Sequence, residues 1–125
     1  MAARTILIVE DNEDLRRMFR TALRLAGFEV LEAGDGLSAL RVLETASPPS
    51  LVVLDLGLPL VSGRVVRDEL LGRAHLRDIP VVVVTASPGS HTDMQAKCVL
   101  HKPVDPDQLV RTVRSCLISG TESLT

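Results

Sequence analysis

The chain alternates short apolar runs with longer segments of helical periodicity, and this alternation restricts its possible folds more than any other feature. Runs rich in Val, Ile and Leu recur along the sequence, and amphipathic segments separate most of them. The predicted strands are residues 5–9, 28–32, 51–54, 79–84 and 98–101. Strands that alternate with helices in this way predict an α/β domain built on a doubly wound, five-stranded parallel sheet.

The pattern within each run predicts its place in the sheet. The first, third and fourth runs are continuously apolar, which is typical of strands that are covered on both faces by helices. The second run, 28–32, alternates apolar and acidic residues, so we expect it at an edge.

Capping residues mark the predicted helices, because side-chain acceptors and N1 prolines favour helix starts and glycine favours helix ends. The segment 88–97 combines Pro, Gly, Ser and His with few apolar anchors. We therefore expect a shortened or irregular helix there, or a loop. The start signals are Asn12, Asp35, Ser62 and Asp105-Pro106, and Gly27 is a stop signal.

Length and charge exclude several classes of protein. The chain has 125 residues, enough for a single domain, and its 14 basic residues against 16 acidic ones leave a net charge of −2. We predict one domain over 1–118 and a flexible tail over 119–125. A near-neutral balance disfavours direct binding to nucleic acid, and the apolar runs are far shorter than the roughly 20 residues of a membrane span.

Two cysteines, Cys98 and Cys116, are not arranged as a Cys-x-x-Cys motif, and no secretory leader is recognisable. We expect them to be free thiols with structural roles, in a cytoplasmic protein.

Polar side chains follow four of the predicted strands. Glu10 and Asp11 follow the first, Asp55 the third, Thr85 the fourth and Lys102 the fifth. The carboxyl ends of parallel strands form one edge of a sheet, where ligands bind in such folds. Each close pair of carboxylates would repel by about 4 kcal/mol, so a cation is needed. Lys102 supplies one charge, and an all-oxygen cluster also suits Mg²⁺.

Four motifs, in this order and at strand ends, make the chain similar to the receiver domains of two-component response regulators. The resemblance covers residues 5 to about 118 and implies the flavodoxin-like strand order 2-1-3-4-5. The motifs are the acidic pair within 6–12, the phosphoacceptor within 53–59, the hydroxyl within 84–86 and the lysine within 101–103.

The resemblance implies a role for each candidate residue. Asp55 would accept a phosphoryl group from a histidine kinase or a histidine phosphotransfer protein, and an unknown output partner would respond. Such a domain assists its own phosphorylation but is not an enzyme in the usual sense. By the same resemblance, the Mg²⁺ ligands are Glu10, Asp11, Asp55 and the backbone carbonyl of Gly57, and the groups that contact the phosphoryl oxygens are Thr85, the amide of Ala86 and Lys102.

Two positions depart from the family pattern. Val99 stands three residues before Lys102, where receivers usually have Tyr or Phe, so the usual coupling of a hydroxyl to a ring is not expected. The stretch from Thr85 to Lys102 is also several residues shorter than usual, and the deficit falls in 88–97.

Other interpretations are weaker. A phosphorylation-independent interaction module of the same fold is the main alternative. A flavodoxin-like binder of a phosphate ligand is disfavoured because the carboxylates would repel it. An aspartyl-phosphate hydrolase would need a second acid after Asp55, where the chain has Gly57.

Three arginines of the first helix are interpreted as a solvated face and as secondary candidates for docking a kinase: Arg16, Arg17 and Arg20.

Overall fold

The computed structural model describes residues 3–45, 47–58, 61–87 and 95–122, with side chains as far as residue 118. Strands and helices occur in the predicted alternation. The strands are β1 (Thr5–Val9), β2 (Glu29–Ala33), β3 (Leu51–Asp55), β4 (Val81–Thr85) and β5 (Cys98–His101). The helices are α1 (Glu13–Leu25), α2 (Gly36–Thr45), α3 (Gly63–Gly72) and α4 (Pro106–Glu122).

All five strands are parallel, in the order β2-β1-β3-β4-β5. The predicted fold class, strand order and edge position of β2 are therefore confirmed. The register pairs Val9 with Leu54, Asp55 with Val84 and Thr85 with His101, so the strands end at nearly the same level. The residues that follow the strands consequently share one edge, which we call the carboxyl edge.

The capping signals act as predicted at the start and end of α1. The Asn12 side chain accepts a hydrogen bond from the amide of Leu15, 2.9 Å away. At the other end Gly27 has a φ of 98°, a left-handed conformation that glycine adopts without steric cost. Gly27 donates to the carbonyl of Arg24, and Phe28 donates to that of Leu23. These two bonds form a Schellman motif, which ends the helix and turns the chain into β2.

Two apolar clusters fill the two faces of the sheet. One lies under α1 and α4 and includes Phe19, Leu23, Leu109 and Val113. The other lies under α2 and α3, and Leu70 is fully buried in it. Because helices cover both faces, β1, β3 and β4 are almost completely buried, as their continuous apolar sequence predicts.

The segment 88–97 and the end of α4 concern two of the predicted boundaries. Residues 88–94 of the segment predicted to be a short or irregular helix lie outside the described residues, and 95–97 are not helical. The backbone of α4 stays helical to Glu122, beyond the predicted boundary at 118. The flexible tail over 119–125 stays a prediction. Within the described ranges, every helix is too short or too polar to cross a membrane.

Candidate functional site

The carboxyl edge brings together polar residues that end or directly follow four strands. Glu10 is 1% exposed, Asp55 is 4% exposed and Thr85 is 2% exposed, whereas Asp11 is exposed to solvent. Buried carboxylates are costly unless they are paired. The edge is therefore a site with a buried acidic floor that is open to solvent beside Asp11.

Lys102 is the cation that compensates the negative charge of the buried carboxylates. Its Nζ lies 3.0 Å from Glu10 Oε1 and 3.2 Å from Asp55 Oδ2. The other oxygen of Asp55, Oδ1, accepts a hydrogen bond from the Gly57 amide at 2.9 Å. Both oxygens of Asp55 are thus held, one by an ammonium and one by a backbone N–H. Gly57 contacts Asp55 through its amide, and a contact through its predicted ligand atom, the carbonyl, stays a prediction.

The acidic cluster shifts the pKa of the groups within it. Burial raises the pKa of Glu10 to about 7, in spite of a backbone hydrogen bond from Asn12 and the neighbouring Lys102. For Lys102, burial alone would lower the pKa of the ammonium. The ion pairs with Glu10 and Asp55 together outweigh burial and raise that pKa. Burial thus outweighs the ion pair at Glu10, whereas the two carboxylates outweigh burial at Lys102.

The donor set fits a hard divalent cation. One carboxylate oxygen from each of Glu10, Asp11 and Asp55 lies within 4.8 Å of the others. The Glu10 Oε1 atom is buried, and it forms an ion pair with Lys102 that lacks hydrogen-bond geometry. Oxygen ligands gathered in this way suit Mg²⁺, which prefers carboxylate, carbonyl and water. The three residues predicted as carboxylate ligands are thus brought together.

The raised pKa of Glu10 predicts a pH dependence of stability in the absence of divalent cations. A carboxyl whose pKa is about 7 when folded and 4.5 otherwise favours folding below pH 4.5, and this stabilisation is lost as the pH rises through 7. The free energy of unfolding should fall over that window by at most about 1.4 kcal/mol per pH unit. Denaturant titrations in EDTA measure it.

The Glu10→Gln variant is the control for this pH dependence, because glutamine does not titrate. Its stability curve should be flatter than that of the wild type between pH 4.5 and 7. Curves of equal slope would show that Glu10 is not the group responsible.

Arg16 supports the backbone at Glu10, a role that its sequence neighbours do not predict. Its Nη1 donates to the Glu10 carbonyl at 2.9 Å, and its Nε lies 3.3 Å from a carboxylate oxygen of Glu32 on β2. Arg20 donates to the same carboxylate at 2.9 Å. The interpretation of these arginines as a solvated face is therefore wrong for Arg16 and Arg20 and holds for Arg17, whose side chain is 59% exposed.

We expect Arg16→Met to weaken Mg²⁺ binding about tenfold, because groups that orient metal ligands typically contribute ten- to a hundredfold to affinity. Methionine keeps the packing of the side chain but leaves the Glu10 carbonyl without its donor. The Mg²⁺-dependent rise in melting temperature measures the effect. Arg17→Met, on the same helix but exposed, is the matched control and should titrate as the wild type does.

Thr85 and Lys102 lie side by side across β4 and β5. The Lys102 amide donates to the Thr85 carbonyl at 2.8 Å, so the backbone fixes their relative height. The Thr85 hydroxyl accepts a hydrogen bond from the Ser87 amide at 3.0 Å, which leaves its proton available for donation. Ala86 is exposed at the same edge. The predicted hydroxyl and amide donors thus flank the site on the β4 side.

Gly63 holds the start of α3 against the end of β3. A Cβ on this residue would lie 2.6 Å from the Asp55 carbonyl oxygen and 2.9 Å from Leu56 Cα. The backbones of α3 and β3 thus approach each other too closely for any side chain at this position. Val99, the residue at the usual aromatic position, is half-buried and packs against the cluster under α2 and α3.

Comparison with known proteins agrees with this geometry. The sequence pattern described as "Response regulator receiver domain" matches residues 6–114. The polar-differentiation response regulator DivK of Brucella ovis is 34% identical over 119 residues, which are 91% of this chain and 96% of DivK. The probable transcriptional regulator ycf27 of Porphyridium aerugineum is 32% identical over 122 residues, 94% of this chain and 49% of ycf27. The chain thus spans about half the length of ycf27.

Solved structures share the fold. The chemotaxis response regulator CheY4 of Vibrio cholerae superposes with a TM-score of 0.86 and 23% identity, over 92% of this chain and 99% of CheY4. At this identity the similarity concerns the fold. The match of the sequence pattern to most of the chain, together with the similarity to DivK, identifies the family as well as the fold. The chain belongs to the receiver domain family of response regulators.

Proposed function

We propose that the chain is a phosphoacceptor receiver, in which Asp55 takes a phosphoryl group from the phosphohistidine of a histidine kinase or a histidine phosphotransfer protein. The observation that carries this proposal is the geometry of Asp55. It is a buried carboxylate at the end of a central strand, paired with Lys102 and beside Glu10 and Asp11. A carboxylate in a purely structural position does not need two further carboxylates at its side.

Each residue has a part in the transfer. A carboxylate oxygen of Asp55 forms the new bond to phosphorus as the phosphorus–nitrogen bond breaks, and the imidazole of the donor takes the electron pair. Lys102 pairs with one phosphoryl oxygen, on which negative charge develops. The Thr85 hydroxyl and the Ala86 amide donate hydrogen bonds to the other phosphoryl oxygens. Positioned donors of this kind supply most of the catalysis in phosphoryl transfer.

Glu10, Asp11, Asp55 and the Gly57 carbonyl would hold Mg²⁺. When bound, this ion would neutralise charge between the carboxylates and the incoming phosphoryl oxygens. The exposure of Asp11 and the burial of Glu10 support this arrangement, because the ion could be reached from solvent and still be held by a buried ligand.

A groove between α1 and α4 suits a protein phosphodonor. It lies between α1 and α4, has a volume of about 760 Å³ and is lined by Met18, Leu25 and Val110 among others. Met18 and Leu25 are 39% and 85% exposed. Exposed apolar side chains in one groove favour contact with another protein. Both helices start at the carboxyl edge, so one end of the groove, lined by Asp14 and Pro106, is on the side of the site.

The test is phosphorylation by a small donor. The chain is incubated with acetyl phosphate and Mg²⁺, and the intact mass is measured. We expect a gain of one phosphoryl group that is stable in acid and labile in base, and no gain in EDTA. An unlabelled chain, under conditions where another receiver is labelled, would contradict the proposal. It would favour the alternative of a phosphorylation-independent interaction module, for which Val99 is the supporting observation.

A further inference from the structure

The two cysteines lie together between β5 and α4, away from the carboxyl edge. Cys98 is the first residue of β5 and is half-buried, and Cys116 on α4 is 6% exposed. Both contact the apolar cluster under α1 and α4, and both line one cavity of about 380 Å³. Neither has a part in the proposed phosphoryl transfer.

The topology places the two thiols within about 5 Å of each other along the direction of β5. The helix α4 begins near the carboxyl ends of the strands and runs back along β5. Ten residues separate Pro106 from Cys116, about 15 Å of helix, and Cys98 lies about 10 Å from His101 at the carboxyl end of β5. The neighbouring lining residues Lys97 and Ser115 belong to the same cavity. Both thiols thus line the same cavity, Cys98 from β5 and Cys116 from the helix that covers it.

The two thiols differ in reactivity. Burial raises the pKa of Cys116, and a negative charge on Cys98 would raise it further. Burial thus lowers the fraction of Cys116 that is thiolate, while Cys98 is the more accessible of the two. This difference is typical of a pair in which one thiol attacks first and the other resolves the product.

We propose that Cys98 and Cys116 are a modification site that forms a reversible intramolecular disulfide on reaction with a low-molecular-weight disulfide. The Cys98 thiolate attacks one sulfur of that disulfide, forms a mixed disulfide and releases the first thiolate. The Cys116 thiolate then attacks the Cys98 sulfur and releases the second. The two protein thiols lose two protons and two electrons, and the small disulfide is reduced to two thiols. The bond ties the edge strand β5 to α4.

Oxidised glutathione is the probe. The reduced chain is incubated with it, free thiols are blocked with iodoacetamide, and the intact mass is measured. We expect a monomer lighter than the reduced protein by two hydrogen atoms, with both cysteines protected and with alkylation restored after dithiothreitol. The oxidised form should also melt at a higher temperature than the reduced form.

Single variants test the order of the steps. Cys116→Ala should stop at a stable glutathione adduct on Cys98, and Cys98→Ser should leave Cys116 mostly unmodified. The proposal is overturned if the oxidised wild-type chain is alkylated at both cysteines, keeps a glutathione adduct on Cys98, or forms disulfide-linked dimers. These readouts do not involve Asp55, so they are independent of the outcome of the phosphorylation test.

Discussion

An Asp55→Asn variant is expected to take up no phosphoryl group from acetyl phosphate in the presence of Mg²⁺. Asparagine has nearly the same shape as aspartate, but its amide is not a nucleophile toward phosphorus and cannot form an aspartyl phosphate. The loss should be complete, because Asp55 is the residue whose bond to phosphorus defines the product. Intact mass measurement gives the result directly. Asp68→Asn, an exposed residue on α3, is the matched control and should be labelled as the wild type is.

The same variant should keep its fold. Removing the Asp55 charge relieves repulsion with Glu10 and leaves Lys102 paired with Glu10 at 3.0 Å. We therefore expect its melting temperature without Mg²⁺ to equal or exceed that of the wild type, and the Mg²⁺-dependent rise to be smaller. A phosphorylated Asp55→Asn chain would show that another residue is the acceptor.

Gly63→Ala should destabilise the protein by about 1–3 kcal/mol and slow phosphorylation, because a methyl group there has no space. Its nearest neighbours are the Asp55 carbonyl oxygen and Leu56 Cα, which are backbone atoms and cannot rotate away. Either α3 or the end of β3 must move, and β3 carries the acceptor carboxylate. Denaturant titration and the rate of labelling by acetyl phosphate measure the two effects.

Gly72→Ala is the control for this prediction, since Gly72 is the last residue of the same helix. A Cβ at Gly72 would meet nothing within 4 Å, and its φ is not in the left-handed region. Alanine there should stabilise the chain slightly, by about 0.4–1 kcal/mol, through the lower entropy of the unfolded state. If the two variants were equally stable, the close approach at Gly63 would not be a constraint.

The residues that follow the strands could be predicted because their position depends on topology alone. Once the strands are parallel and end level, Glu10, Asp55, Thr85 and Lys102 must share an edge, whatever the details of packing. Local sequence was enough for two further features. The alternating residues of β2 predicted its edge position, and a local side-chain hydrogen bond decides the helix starts at Asn12 and Ser62.

The parts of the site that sequence did not predict depend on distances between distant elements. Arg16 is one of four arginines in the first helix region, and nothing in its neighbours distinguishes it from Arg17. Its role follows from the approach of α1 to the Glu10 carbonyl. The constraint at Gly63 likewise comes from the packing of α3 on β3. The shift in the pKa of Glu10 comes from burial, which a strand-end position does not fix.

The position of Lys102 has a mechanical consequence. The strand β5 is at the edge of the sheet and is hydrogen-bonded along its length to β4, whereas the Nζ of Lys102 reaches past β4 to the ends of β3 and β1. The ammonium thus links an outer strand to the two central strands by ion pairs. A new negative charge on Asp55 would attract the Lys102 ammonium away from Glu10. The resulting force would act on the backbone of β5, with no aromatic ring needed to relay it.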